Sequence, residues 1–214
     1  KLFKLTPPSP DLINNKMKRI AMTMLGLVTL ASTTLKAQDK SWNFRVGAGV
    51  NVSQISNYLT GDPHFGLRVS GQVLKNFGNT GFGVLSGLEF TNKGEQFKSG
   101  DGGVSLNSLQ IPLFASYHFN LNTDNRVYVE AGPYFNYVLS GKSGDKDVFS
   151  PSRNDSSFES QGYGIGVNLG YNYRNLLVRF GYEHSLSSVL KSKEKKALSN
   201  NSISEVSFGV AWQF

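Results

Sequence analysis

From Trp42 onward, apolar residues recur at every second position of the chain. The final run, "EVSFGVAWQF" at 205–214, shows this alternation without a break. A period of two is typical of a β-strand whose two faces meet different surroundings. Further runs of the same kind occupy residues 42–52, 65–73, 82–90, 109–119, 127–139, 163–173 and 176–184. The sequence therefore predicts an all-β fold of eight strands.

The second face of these runs indicates which solvent surrounds the sheet. Each run is about as long as the ~9–11 residues of a tilted strand that crosses a bilayer. A soluble barrel points its apolar face inward, whereas a membrane barrel points apolar residues outward and encloses the polar ones. The polar faces carry Arg45, Arg68, Gln72, Glu89, Glu130, Asn136, Asn168, Arg179, Glu183 and Glu205.

Aromatic residues and connection lengths favour the membrane barrel. Aromatic residues cluster at both ends of the runs, as the two interfaces of a bilayer select. Long connections such as "NKGEQFKSGDGGVSLNS" alternate with short ones such as "RN", which sorts every long loop to one end of an up-and-down barrel. We therefore predict an eight-stranded antiparallel up-and-down transmembrane β-barrel, preceded by a signal peptide.

Prolines and glycines inside the runs carry their own expectations. Pro112 and Pro133 cannot donate a ladder hydrogen bond, so we expect a bulge or a local bend at each. The glycines of "GYGIGVNLG" repeat at every second residue and no helix follows, which excludes a dinucleotide-binding motif. We expect these glycines to make room for bulky neighbours inside the barrel.

The N-terminal part is predicted to lie outside the fold. Residues 17–37 combine a basic start with the apolar run Ile20–Ala31, which is typical of a signal peptide cleaved after Ala37. Residues 1–16 are expected to lie upstream of the true start, and residues 38–214 to form the barrel domain. Residues 1–37 contain 6 of the 22 Lys and Arg residues and 1 of the 15 Asp and Glu residues. Residues 38–214 therefore carry 16 basic and 14 acidic residues, a net charge of +2. This near-neutral balance gives no case for nucleic-acid binding.

Three stretches carry a family resemblance. "LQIPLFASYHF" (109–119), "VYVEAGPYFNYVLSG" (127–141) and "GYGIGVNLGYNY" (162–173) resemble the PorT-type outer-membrane β-barrel family of Gram-negative bacteria. The resemblance implies a small barrel in the cell outer membrane for residues 38–214. It also implies that the terminal strand, with Trp212 and Phe214, is the signal read by the barrel-insertion machinery. The founding member assists a secretion system, a role that we do not transfer.

The inward charges lead to a hypothesis about the lumen. Eight strands enclose an interior just wide enough for side chains to fill, and buried charges must be paired. We expect a plug of ion pairs that closes the lumen, formed by Arg45, Arg68, Glu89, Glu130, Arg179 and Glu183. A small gated channel or porin is the alternative.

No catalytic, cofactor-binding or metal site is predicted. His184 and Ser185 are adjacent, so their side chains point to opposite faces of a strand, and no nucleophile–base pair is evident in the sequence. The spacing of Asp145, Asp147 and Asp155 fits no EF-hand, and "KSKEKK" (191–196) is expected to be a solvated loop tip. A barrel-embedded hydrolase is therefore the weakest alternative.

These observations lead to one functional expectation. We expect a monomeric, non-enzymatic outer-membrane barrel with long extracellular loops and a structural, surface-binding or envelope-accessory role. Its expected partners are outer-membrane lipid and lipopolysaccharide, the insertion machinery, and a surface ligand or a secretion complex. A soluble, lipocalin-type barrel is the other alternative, and it would have an apolar lumen.

Overall fold

The computed structural model describes residues 41–56, 62–78, 80–96, 103–143, 146–149, 159–188 and 201–214. The predicted leader, the predicted signal peptide, the loop "KSKEKK", Asp145 and Asp155 lie outside these residues. Within them, the chain forms no helix that is long and apolar enough to span a membrane.

Regular structure in the described residues consists of β-strands. Their bounds are β1 Trp42–Ile55, β2 Asp62–Asn76, β3 Phe82–Gln96, β4 Gly103–Asn120, β5 Asn125–Ser143, β6 Lys146–Phe149, β7 Gln161–Tyr173, β8 Leu176–Ser185 and β9 Ile203–Gln213.

The described strands close on themselves. Neighbours follow the order β4-β3-β2-β1-β9-β8-β7-β5, and β4 also pairs with β5. Every pairing is antiparallel, and β6 pairs with the end of β5. The short β6 thus extends one hairpin, while the other eight strands form the closed barrel that the alternation predicted.

The two ends of the barrel differ in how the strands are joined. Short turns at 77–81, 121–124 and 174–175 define what we call the turn end, where both β1 begins and β9 ends. The strand ends that the other four connections join lie at the opposite end, which we call the loop end: Ile55 and Asp62, Gln96 and Gly103, Ser143 and Gln161, Ser185 and Ile203. The predicted sorting of connections is confirmed.

Several strands continue farther toward the loop end than predicted. Residues 92–108 were expected to form one long loop, but β3 and β4 pair as far as Gln96 and Gly103. That prediction was wrong because residues 92–96 are polar on both faces, so apolar alternation ends before the hydrogen-bonded ladder does. The extension brings Lys93 onto the inner face of the barrel.

The faces of the strands have the orientation predicted for a membrane barrel. Large apolar side chains lie on the outer surface; Phe65 is 73% exposed and Leu67 is 65% exposed. Arg45, Arg68 and Glu130 are buried inside the barrel. A soluble barrel of lipocalin type requires the opposite arrangement, so that alternative is wrong.

The two prolines do not shift the strand register. β4 and β5 pair in one register from Pro112↔Tyr134 to Ala115↔Ala131, and β5 pairs with β7 through Pro133↔Ile165. The register shift between β4 and β5 lies instead between Asn107 and Ser108. The expected bulge is therefore absent at both prolines, but the pairing is interrupted locally: the β3–β4 ladder skips residues 87–88 opposite 111–112, and the β4–β5 ladder skips residues 113–114 opposite 132–133.

An apolar layer fills the lumen near the turn end. It consists of inward side chains from five strands: Leu74, Leu85, Phe114, Tyr128, Tyr134 and Leu177. The prediction of a polar lumen is wrong for this layer. Because the interior is narrow, these side chains can pack against one another and exclude water, as in a small protein core.

Glycines on the inner face of β7 make this packing possible. A Cβ built on Gly164 would lie 2.5 Å from the Tyr134 ring, and one on Gly166 would lie 2.9 Å from the Phe114 ring. A Cβ on Gly170 would lie 2.9 Å from Leu177. The expectation that these glycines make room for bulky neighbours is confirmed.

The close packing of the β7 glycines predicts that enlarging one of them destabilises the barrel. Gly166→Ala should destabilise the barrel by about 1–3 kcal/mol, because the added methyl meets the Phe114 ring and overpacks the lumen. Gly71→Ala is the matched control, since a Cβ built there meets nothing within 4 Å. Denaturant unfolding of both variants in detergent micelles measures the difference. Equal effects of the two substitutions would contradict the packing role.

Candidate functional site

A cluster of buried charges occupies the lumen on the loop-end side of the apolar layer. Arg68 on β2 lies at its centre. Its Nη2 is 2.7 Å from Oε2 of Glu89, and its Nη1 is 3.2 Å from Oε1 of Glu205. The Arg68 guanidinium also pairs with Glu183. One guanidinium thereby joins carboxylates from β3, β8 and β9.

Lys93 provides the second cation of the cluster. Its Nζ lies 3.0 Å from Oε2 of Glu183 and 2.8 Å from Oε2 of Glu205. The same ammonium donates to Oε1 of Gln110 at 2.9 Å and lies 5.1 Å from the centroid of the Tyr134 ring. Lys93 and Arg68 therefore both contact the carboxylates of Glu183 and Glu205.

Neutral and charged side chains complete the cluster around its carboxylates. Arg179 Nη1 lies 3.4 Å from Oε1 of Glu89, and Gln72 donates to the same oxygen at 2.5 Å. Gln110 Nε2 donates to Glu183 at 3.0 Å. Three cations thus face three carboxylates, so the cluster has no net charge when all six groups are ionised.

A separate ion pair lies nearer the turn end. Arg45 on β1 pairs with Glu130 on β5, and both side chains are almost fully buried. Arg45 Nε also donates to Oε1 of Gln213 at 3.0 Å, and its guanidinium carbon lies 4.5 Å from the centroid of the Tyr128 ring. This pair connects strands across the lumen at the level of the aromatic ring.

The six lumen residues named from the sequence all lie on inner faces. The structure does not bring them into one group: Arg68, Glu89, Arg179 and Glu183 belong to the cluster, whereas Arg45 and Glu130 form the separate pair. Sequence reasoning missed the part played by Lys93, which it had placed in a loop. The signal was present, because Lys93 continues the inward phase of Glu89 and Thr91.

The cluster leaves little free space above it. A cavity of about 30 Å³ lies between Lys93, Tyr134 and Asn136 on the loop-end side. A volume of this size holds about one water molecule. With the apolar layer below, the described side chains fill the lumen instead of lining an aqueous pore.

Histidine geometry corrects one sequence argument. His184 was judged unable to share a proton with a serine because Ser185 faces the other side. The structure pairs it with Ser204 on β9, with 2.9 Å between His184 Nδ1 and Ser204 Oγ. This pair joins facing residues of two strands, which adjacency in sequence cannot reveal. No group of His, Asp or Glu in the described ranges is arranged to hold a metal ion.

The terminal aromatic residues lie on the outer surface at the turn end. Trp212 is 51% exposed, and the Phe214 amide donates to the carbonyl of Phe44 at 2.8 Å. Phe44 lies on β1, so the last residue is held against the first strand. Recognition of these residues by the insertion machinery stays a prediction.

Comparison with known proteins supports the barrel. A family model described as outer membrane protein beta-barrel domain matches residues 36–191. The crystal structure of Neisserial surface protein A is similar at 21% identity, with 80% of this chain and 97% of that chain covered and a TM-score of 0.53. The outer membrane enzyme PagL is similar at 16% identity, with 78% and 98% covered and a TM-score of 0.50. At these identities the similarity concerns the fold alone. No curated protein matches the sequence.

The shared carboxylate of Glu183 gives the sharpest test of the cluster. Glu183→Gln should destabilise the barrel by about 3–5 kcal/mol, because Arg68 and Lys93 lose their common counter-charge in a buried site. Asp124→Asn is the control, since Asp124 pairs with Arg174 on the surface at 3.5 Å and with 49% and 65% of these side chains exposed. That substitution should change stability by less than about 1 kcal/mol. Denaturant titration of both variants, folded in the same detergent, decides between a structural cluster and incidental contacts.

Proposed function

Because the chain belongs to the family of outer membrane protein beta-barrel domains, we propose that it acts in the outer membrane as a closed, non-enzymatic barrel. Its role is structural, surface-binding or accessory to an envelope complex. The observation that carries this proposal is the filled lumen. In the described part of the chain, a charge-balanced cluster lies above an apolar layer, and their buried side chains occupy the space that a porin keeps open to water.

The orientation of the barrel follows from family architecture. Barrels of this kind place short turns in the periplasm and longer loops outside the cell. The turn end is therefore assigned to the periplasm and the loop end to the exterior. The loop end then supplies the surface available to a ligand or to a secretion complex.

Finer assignments are part of the same proposal. The stretches 109–119, 127–141 and 162–173 support membership of the PorT-type group within the broader family. The closed ring of eight strands leaves no main-chain edge along the barrel wall, which supports a monomer. The lipid-facing apolar surface supports outer-membrane lipid and lipopolysaccharide as surroundings. The exposed Trp212 and the docked Phe214 support a role in insertion.

Electrical recording tests the closed lumen against the channel alternative. The purified protein, shown to be folded by a heat-dependent gel shift, should give no stable conductance steps in a planar lipid bilayer. An open porin in the same bilayer serves as the positive control. Stable, large steps from this chain would contradict the closed lumen and favour the channel.

A second candidate function rests on one observation, the contact between His184 and Ser204. A serine within hydrogen-bond reach of a histidine is the arrangement that nucleophilic catalysis requires. The PagL comparison does not transfer an activity, because the similarity concerns the fold alone.

A fluorophosphonate probe separates the two candidates. If the barrel is non-enzymatic, the probe should label the wild type no more than Ser204→Ala. Labelling that is lost in both Ser204→Ala and His184→Ala, but kept in Ser202→Ala, would overturn the non-enzymatic proposal. Ser202 is the matched control because it lies two residues before Ser204 and lines the same loop-end space as His184.

A further inference from the structure

A polar groove lies at the loop end where β7 begins, β8 ends and β9 begins. Its volume is about 480 Å³, and its lining consists of Glu159, Gln161, Tyr163, His184, Leu186 and Asn201 together with four serines. This volume falls within the range of small-molecule sites in proteins. None of the described residues that line it is Lys or Arg.

The lining combines hydrogen-bonding groups with an exposed ring. Hydroxyl and amide side chains can both donate and accept hydrogen bonds, which suits a ligand that carries many hydroxyl groups. Tyr163 is 59% exposed and offers a flat aromatic face beside these groups. An aromatic ring with a polar tip covers the apolar face of a ligand while it bonds the polar edge.

Hydrogen bonds hold the groove in shape. The Tyr163 amide donates to Ser187 Oγ at 3.0 Å, and the Leu186 amide donates to the Tyr163 carbonyl at 2.9 Å. Ser185 Oγ donates to the Ser187 carbonyl at 3.0 Å. These bonds fix the 185–187 turn against the start of β7, so a ligand would pay little entropy to order the site.

Other polar groups in the groove remain available. The side chains of Glu159 and Gln161 and the Tyr163 hydroxyl make no hydrogen bond within the described part of the chain. The contact between Ser204 Oγ and His184 Nδ1 occupies one ring nitrogen, and Nε2 makes no hydrogen bond within the described residues. These groups converge on one space from the start of β7 and the end of β8.

From this composition we infer that the groove binds a neutral saccharide. The carboxyl side chain of Glu159 in the lining disfavours an anionic ligand, whereas sugar hydroxyls match the hydroxyl and amide groups and the exposed ring of the lining. The inference rests on the proposed surface role of the barrel. The saccharide has two sources, the core sugars of lipopolysaccharide in the same membrane and soluble glycans outside the cell.

Calorimetric titration of the folded full chain tests the inference. The protein is kept in a sugar-free amine-oxide detergent, because glycoside detergents would compete for the groove. One arm uses dephosphorylated core oligosaccharide released from lipopolysaccharide, and the other uses the neutral glycans maltohexaose and lacto-N-tetraose. Binding in at least one arm, insensitive to added salt, is expected, and the arm that binds identifies the source.

Variants connect binding to the groove. Tyr163→Ala and Gln161→Ala should each weaken binding about tenfold. The first removes the ring that stacks on the sugar, and the second removes an amide that hydrogen-bonds it. Tyr171→Ala is the matched control, because Tyr171 is an exposed tyrosine of the same strand at the turn end.

Three results would overturn the inference: no binding in either arm, unchanged binding in Tyr163→Ala, or binding that disappears with salt. All proteins are first shown to be heat-modifiable and electrically silent. A protein that passes those checks and binds no glycan removes the groove inference alone and leaves the proposed closed barrel in place.

Discussion

The structure depends on compensating ionised groups inside a narrow barrel. Lipid outside forces charged side chains inward, and an interior of eight strands has little room to hydrate them. A lone buried charge costs several kcal/mol, so each must be paired and hydrogen-bonded. Arg68 and Lys93 meet this constraint by sharing Glu183 and Glu205, while Arg179 completes the pairing at Glu89.

This compensation also connects parts of the barrel that backbone pairing leaves apart. Arg68 on β2 reaches Glu183 on β8, and Arg45 on β1 reaches Glu130 on β5. β2 does not pair with β8 in the sheet, and β1 does not pair with β5. The ion pairs and the apolar layer therefore connect opposite parts of the barrel wall through the lumen. The glycines on the inner face of β7 leave space for the aromatic side chains of that layer.

Sequence periodicity was sufficient to predict the strands of the barrel wall but not the side-chain contacts inside the lumen. A period of two identifies eight strands and the inward position of residues such as Arg68 and Glu183. It cannot identify the partner of Arg68, because that depends on register and on closure between residues far apart in sequence. Lys93 was missed since polar residues on both faces hide the end of a strand. Leu74 and Leu177 were missed because single apolar residues on the polar face of a strand form no pattern of their own. Their packing in one apolar layer becomes visible only in the closed barrel.

The same limit explains the histidine and the groove. His184 and Ser204 are brought together only when β8 pairs with β9, and the groove combines residues from three strand ends. Neither arrangement has a local pattern in sequence. The near-neutral charge of residues 38–214 could be read from the sequence, because it depends on residue types and on the position of the predicted signal peptide but not on the fold.

Fluorescence quenching of the two tryptophans tests the central claim most directly, namely that the apolar face meets lipid while the charges are enclosed. Trp42 and Trp212 are the only tryptophans in the sequence, and they lie on the outer surface at the turn end, 44% and 51% exposed. In liposomes, brominated lipids should quench their emission strongly, most of all when the bromine lies near the headgroups, and aqueous iodide should quench it weakly. Strong quenching by iodide with no effect of any brominated lipid would contradict the account.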